Sequence, residues 1–343
     1  MAKRVVFFNH KGGVSKTTSV YNVGWMLSRN RRVLIVDADP QCNLTSLILR
    51  DGFEEFYINP RTAQQNIKDG VKVAFEGKPV PIQAVDCQSP ARAPNLFLLP
   101  GHANLSEYDA ALTFAQNSNN AFTTLQNLPG AFTELLRLTE LKYNIDYTLI
   151  DLNPSLSAIN QNLFITSDAF IIPTNPDPFS IMAMQTLSAI LPRWVKWAQS
   201  AVPTFAEATY PLPLKAPKLL GTLIQRFNVR QGRAAMPYRN NIAEIQTATA
   251  GLLLSSLQQS GMALSDAQYS PDLVNAGYCL ALISDFHGLL PKSNNAGVPV
   301  FELLDSEIAE TGPVLEGMQL KRDGFRDDFV ALATKIEQLM TYA

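Results

Sequence analysis

Charge and cysteine are scarce in this 343-residue chain. Charged residues make up 17%, with 28 Lys and Arg against 30 Asp and Glu, a net charge of −2. Such a balance excludes a bulk electrostatic pull toward nucleic acid, so any DNA contact must come from a local patch. The 3 cysteines, Cys42, Cys87 and Cys279, lie far apart and form no C-x-x-C pair. That argues against a disulfide framework, a zinc site or an iron–sulfur centre, and for free thiols in a reducing compartment. No apolar run is long enough to span a bilayer, and the N-terminus enters its first strand with no room for a signal peptide. A cytoplasmic protein without membrane contact is therefore expected. Hydrophobic residues reach 46%, which predicts a sizeable core rather than disorder.

What is present is concentrated near the start. The apolar run Val5 to Phe8 reads as a buried strand, and Thr17 to Ser28 as a helix. Between them stands Asn9-His10-Lys11-Gly12-Gly13-Val14-Ser15-Lys16-Thr17-Thr18. A strand, a glycine-bearing turn with Lys-Thr-Thr, then a helix is the phosphate-cradling arrangement of P-loop nucleotidases. Backbone N–H groups of the turn face the phosphates and the helix start adds partial positive charge. In that arrangement Lys16 bridges the β- and γ-phosphates of ATP and Thr17 places its hydroxyl on Mg²⁺. The pattern G-x-x-x-x-G-K-[ST] is not met, because His10 and Ser15 stand at its glycines.

Further apolar runs read as strands: Arg32 to Asp37, Asn95 to Leu99, Tyr147 to Asp151, Ala169 to Pro173, Leu219 to Gln225 and Leu280 to Ile283. Helical spacing covers Asn43 to Leu49, Thr62 to Asp69, Leu105 to Phe114, Phe132 to Leu141, Phe179 to Ala198 with a bend at Pro192, Tyr238 to Gln259, and Phe325 to Met340. Residues 260–278 are expected to be irregular. The alternation implies an α/β fold, a mainly parallel twisted sheet with helices on both faces. One domain over 1–343 is the expected organisation, with 51–94 and 199–218 as insertions or extended loops, the latter on the surface because of its prolines. Trp194 and Trp197, beside Arg193 and Lys196, are expected to pack in the core or an interface rather than stack on bases.

Two strand ends carry carboxylates where ligands of open α/β sheets gather. Asp37 and Asp39 follow the second strand and are expected to face opposite sides of the extended segment, hence to serve different roles. Asp151 closes a later strand and would hold Mg²⁺, directly or through water.

The stretch K-G-G-x-x-K-T-T over residues 11–18, with an early lysine and with Ser15 where most members have glycine, resembles the ParA/MinD family of dimerising ATPases. So do D-x-D-P-Q-x-N over 37–43 and the segment 151–155, where the family usually reads D-x-P-P-S and Asn153 replaces the first proline, loosening the switch. Segments 172–179, 221–228 and 294–301 resemble the family's strand-to-helix switch, its base-side strand and its A-x-G-x-P-V segment.

The resemblance implies a Mg²⁺-dependent ATP hydrolase working as an ATP-gated homodimer. Phosphates would be bound by Lys11, Gly12, Gly13, Val14, Ser15, Lys16, Thr17 and Thr18, with Lys11 reaching the partner's nucleotide. Asp39 would orient the attacking water, and Thr17, Asp37 and Asp151 would serve the metal. Arg226 or Asn228 would contact adenine. A partner protein would stimulate turnover. The implied role is partitioning or positioning of plasmid or chromosomal DNA or other cargo, with non-specific DNA bound through Arg230, Arg233 and Arg239 or through Lys321, Arg322 and Arg326. The alternative is a switch subunit that regulates a protein complex without touching DNA. The final helix has no basic face, unlike the membrane helix of the MinD branch.

Overall fold

Seven apolar runs of the sequence become the seven strands of one parallel sheet. In the computed structural model, which describes residues 2–117, 125–230 and 233–343, these are β1 (Lys3–Phe7), β2 (Val33–Ala38), β3 (Leu96–Leu99), β4 (Tyr147–Leu152), β5 (Ala169–Thr174), β6 (Lys218–Phe227) and, after a short antiparallel hairpin of β7 (Val229–Arg230) and β8 (Arg233–Ala234), β9 (Cys279–Ser284). The order across the sheet is β3-β2-β4-β1-β5-β6-β9, and every pairing within it is parallel. β2, β3 and β5 are buried throughout, as expected where helices cover both faces.

The helices are α1 (Lys16–Leu27), α2 (Asn43–Leu49), α3 (Phe53–Ile58), α4 (Ile67–Phe75), α5 (Glu107–Asn117), α6 (Leu128–Tyr143), α7 (Ala158–Ile165), α8 (Pro178–Ala201), α9 (Met236–Ala248), α10 (Leu254–Gln259), α11 (Pro271–Asn275), α12 (Leu289–Ala296), α13 (Asp305–Ile308) and α14 (Gly312–Met340). One layer contains α1 against α14; a second connected layer runs through α4, α6, α7 and α8. No helix among the described residues is long and apolar enough to cross a membrane.

Local chemistry moves several boundaries from their expected places. The helix expected over Thr62 to Asp69 begins at Ile67, because the Asn66 side chain accepts from the N–H groups of Lys68 and Asp69. A single helix expected over Tyr238 to Gln259 starts two residues earlier and is interrupted by a π-helical turn, Thr249–Leu253. The last helix begins at Gly312 rather than Phe325; its first half is mostly exposed, with Leu315 and Met318 half-buried against the core, while Phe325, Phe329, Leu332, Ile336 and Leu339 are buried as expected. Residues 260–278 hold the short helix α11, capped by Ser270.

The prolines of 199–218 suggest a surface loop, yet Phe205, Tyr210 and Leu212 are buried in the main core. Apolar anchors at intervals outweigh the proline signal there. α8 keeps its helical assignment through Pro192. Proline cannot donate to the Ser188 carbonyl four residues back; the Ser256 hydroxyl from α10 donates to that carbonyl instead, at 2.6 Å. Trp194 packs against Phe8 and Phe164 with ring centroids at 5.5 and 5.6 Å, which is core packing. The same core joins residues from Val5 to Met340.

Candidate functional site

All the strand-end motifs meet at the carboxyl edge of the sheet. The turn after β1 is tied down from below: the Asn9 side-chain amide donates to the Pro173 carbonyl at 2.9 Å, and its Oδ1 accepts from the Lys11 N–H at 3.0 Å. Gly13 has φ +72° and Ser15 has φ 60°, ψ 33°, both left-handed. α1 then opens at Lys16 with no side chain capping its first amides and no acidic residue in its first turn. An uncapped twelve-residue helix leaves donors facing outward, which suits an anion.

Lys16 is almost fully buried, 7% exposed, and its Nζ donates to the Lys11 carbonyl at 3.2 Å. Burial pushes its pKa down; Asp151 and Asp39 oppose that push. Asp151 stands level with Phe7 of β1 and with Asp37 of β2 in the sheet register. It is 1% exposed, and neither carboxylate oxygen has a well-formed hydrogen bond from the protein. Burial, then the Asp37 charge, drives its pKa well above the ordinary carboxylate value; the nearby Thr17 hydroxyl and Lys16 only moderate this.

Asp37 is equally buried but satisfied. Its Oδ2 accepts from the Thr45 N–H and hydroxyl at 2.8 and 2.7 Å, and its Oδ1 from the Asp39 N–H at 3.2 Å. Burial raises its pKa to about 6, against these bonds. The expectation that Asp37 and Asp39 face opposite ways is corrected: residues two apart in an extended segment share a face, and here they are hydrogen-bonded neighbours. Asp37 thereby anchors the start of α2, and Asp39, 8% exposed, lines the cleft with its Oδ1 accepting from the Gln41 N–H at 2.9 Å.

The cleft itself holds about 560 Å³ and is bounded by residues 13–18, Asp39, Gln41, Asn43, Ser46, Leu47, Pro154 and Arg226. Arg226 is thus brought to the phosphate turn, where its Nη1 donates to the Gly13 carbonyl at 3.3 Å. Asn228 does not line the cleft; its carbonyl accepts from the Ala235 N–H at 2.8 Å and closes the β7–β8 hairpin.

Asn153 does not loosen the segment after β4. Its Oδ1 accepts from the Ser155 N–H at 2.8 Å, and the buried Asn160 amide reaches its carbonyl at 2.9 Å, its Oδ1 at 3.0 Å and the Ser155 carbonyl at 2.7 Å. A polar clasp takes the place of proline's stiffness. Lys11 does not extend into solvent: its Nζ is ion-paired with the Asp177 carboxylate and donates to the Ser180 hydroxyl at 3.2 Å, at the start of α8. Asp177 also caps that helix through the Ser180 N–H at 2.9 Å.

The two arginine groups differ. Arg322 is paired with Asp305 and Asp323, and Arg326 with Asp323 and the Phe301 carbonyl, so the expected basic patch of Lys321, Arg322 and Arg326 is largely a structural ion-pair network. Arg239 donates to the Ala234 carbonyl at 2.7 Å. The side chains of Arg230 and Arg233 lie outside the described residues. Sequence reading missed Thr45, Asn160, Asn175, Asp177 and Gln225. Asn175 and Asp177 lay in the 172–179 segment it singled out and Gln225 in 221–228, but their roles depend on contacts with the distant phosphate turn and α1, while Thr45 and Asn160 act through nearer side-chain contacts that no spacing records.

Comparison with known proteins agrees with this geometry. A family model described as an AAA domain (AAA_31) matches residues 2–201. The chromosome-partitioning ATPase Soj of Treponema pallidum is 30% identical over 206 residues, which is 60% of this chain and 68% of Soj. The virulence plasmid ParA family protein pGP5-D of Chlamydia trachomatis is 28% identical over 190 residues, 54% of this chain and 61% of that protein. The chain spans 51% of the length of an uncharacterized Mycobacterium tuberculosis relative that it matches at 30% identity over 188 residues. Among solved structures, a Corynebacterium diphtheriae protein superposes with TM-score 0.64 at 24% identity, covering 86% of this chain and 97% of that one. pNOB8 ParA bound to nonspecific DNA gives 0.56 at 20% identity with 99% of both chains covered. At these identities the structural likenesses establish the seven-stranded parallel fold. With the phosphate turn, the strand-end carboxylates and the family match over 2–201 in agreement, the chain belongs to the AAA-domain family of ParA/MinD-type P-loop ATPases.

Proposed function

We propose that this chain binds MgATP in the cleft over α1, hydrolyses it to ADP and phosphate, and uses the cycle to gate its own dimerisation. The observation that carries the reading is Asp151: a fully buried carboxylate whose oxygens have no well-formed hydrogen bond, set beside the Thr17 hydroxyl, a buried lysine and an uncapped helix start. A carboxylate so placed is costly unless a cation meets it, so the residues fit a metal–phosphate ligand. Thr17 and Asp151 would hold the Mg²⁺, and Asp37 would keep α2 and Asp39 in place beside them. The metal, when bound, would supply charge neutralisation on the phosphate oxygens. Gly12 to Thr18 would present amides and Lys16 to the phosphates, and Asp39, facing the cleft, would orient water for in-line attack. Lys11 would leave Asp177 for the nucleotide of a second copy, which makes dimerisation depend on the γ-phosphate.

The relatives named as partition proteins support a role in positioning plasmid or chromosomal DNA or other cargo, with non-specific DNA as a ligand; a stimulating partner protein and a cytoplasmic setting belong to the same proposal. The ion-paired state of Arg322 and Arg326 favours the second reading on that face, a switch subunit docking on a protein complex; ATP-dependent, salt-sensitive retention of duplex DNA separates the two. The nucleotide reading is tested with Lys16→Ala and Asp39→Ala. The first should abolish MgATP binding by calorimetry, and the second should bind ATP yet accumulate as an ATP-bound dimer. Parent-like hydrolysis by Asp39→Ala would remove Asp39 from the chemistry.

A further inference from the structure

Arg226 occupies a position that its own backbone disfavours. Its φ is +61°, in the left-handed region that costs an ordinary residue roughly 1–2 kcal/mol. It lies where the register between β6 and β9 slips, between Gln225 and Phe227. It is therefore the extra residue of a bulge, a device that re-aims a side chain and is frequent beside ligand sites. Glycine would normally fill such a place.

The residues around it explain where the side chain is aimed. Gln225, just before it, is buried, and its Nε2 donates to the Ser19 hydroxyl at 2.6 Å; Ser19 in turn donates to the Ser15 carbonyl at 2.7 Å. The strand end is thereby fastened to the first turn of α1. The bulge then turns Arg226 back over the same loop, where it borders the cleft that Asp39 also lines and touches the Gly13 carbonyl. The guanidinium is exposed and has no carboxylate partner among the described residues. Its single bond is replaceable, since the Asn175 amide already donates to the Gly13 carbonyl at 3.0 Å. If Arg226 leaves, no buried acceptor is abandoned.

From this we propose that Arg226 is a polyphosphate ligand rather than an adenine contact. On nucleotide binding it exchanges the Gly13 carbonyl for phosphate oxygens. A planar fork of donors matches phosphate oxygens well, and strain held at a bulge is what a pre-aimed ligand group requires. The proposal rests on the nucleotide reading of the cleft.

The test is calorimetry of the full chain with magnesium and three probes: ATP, GTP and inorganic tripolyphosphate. Variants are Arg226→Gly, Arg226→Met and Arg226→Lys. Loss of one charge-assisted contact should weaken all three probes by a similar factor, about tenfold or more, in Arg226→Gly and Arg226→Met. Arg226→Lys should recover part of it. Arg226→Gly should melt no lower than the parent, because glycine suits this backbone; a weakened but equally stable variant separates ligand contact from folding. Unchanged tripolyphosphate affinity overturns the proposal, including the case where ATP alone weakens, which would place Arg226 on the base. If the parent chain itself takes up no ATP, the cleft's nucleotide reading falls; if the parent binds and the variants bind equally, only the role of Arg226 falls.

Discussion

Lys11 offers the sharpest test of the dimer switch, because the structure shows what holds it back. Its ammonium is paired with Asp177, and the two side chains are 21% and 33% exposed. A half-exposed pair of this kind contributes about 0.5–1 kcal/mol, no more, because solvent screens it. Replacing Asp177 with Asn removes the charge but keeps an oxygen to cap the Ser180 N–H, so α8 retains its start. Freeing the lysine should raise the competent fraction about two- to fivefold per subunit. Two subunits contribute two lysines, so the dimer dissociation constant should fall roughly four- to twenty-fivefold, the square of that factor. The measurement is sedimentation of Asp177→Asn with MgATP in the Asp39→Ala background, where hydrolysis does not intervene. Added salt should narrow the gap from the parent, since screening loosens the same pair in both. A dimer of unchanged or lower affinity would show that Asp177 does not restrain Lys11, and the reasoning would fail.

Other consequences follow from local geometry. Ser15 sits at φ 60° without a side-chain cap bond, so Ser15→Gly should stabilise the fold by about 0.5–1 kcal/mol after glycine's unfolded-state entropy is deducted; a lower denaturant midpoint would contradict this. Glu140→Ala strands the buried Arg4 guanidinium, which Glu140 holds through two bonds at 2.7 and 2.9 Å, and should cost about 3–5 kcal/mol in urea unfolding. Burial pushes the thiols of Cys42 and Cys87 up to about 12 and that of Cys279 to about 11. These folded values lie above the ordinary thiol value, so at pH 8 all three should resist a thiol reagent until denaturant is added.

The sequence by itself determined the seven strands and the phosphate turn. Each is encoded locally, by an apolar run of four to ten residues or by glycines and lysines at fixed spacing. It also pointed to Asp37, Asp39 and Asp151, because carboxylates closing apolar strands are visible in one dimension. Only the tertiary structure decided what each carboxylate has left to bind. Asp37 is consumed by Thr45, eight residues away, while Asp151 receives no well-formed hydrogen bond. Only the structure, too, decided that Arg226 faces the phosphate turn and Asn228 does not, since a one-residue bulge between two distant strands sets the direction. Hydrogen-bond satisfaction and side-chain direction depend on neighbours across the sheet, and no spacing along the chain records them.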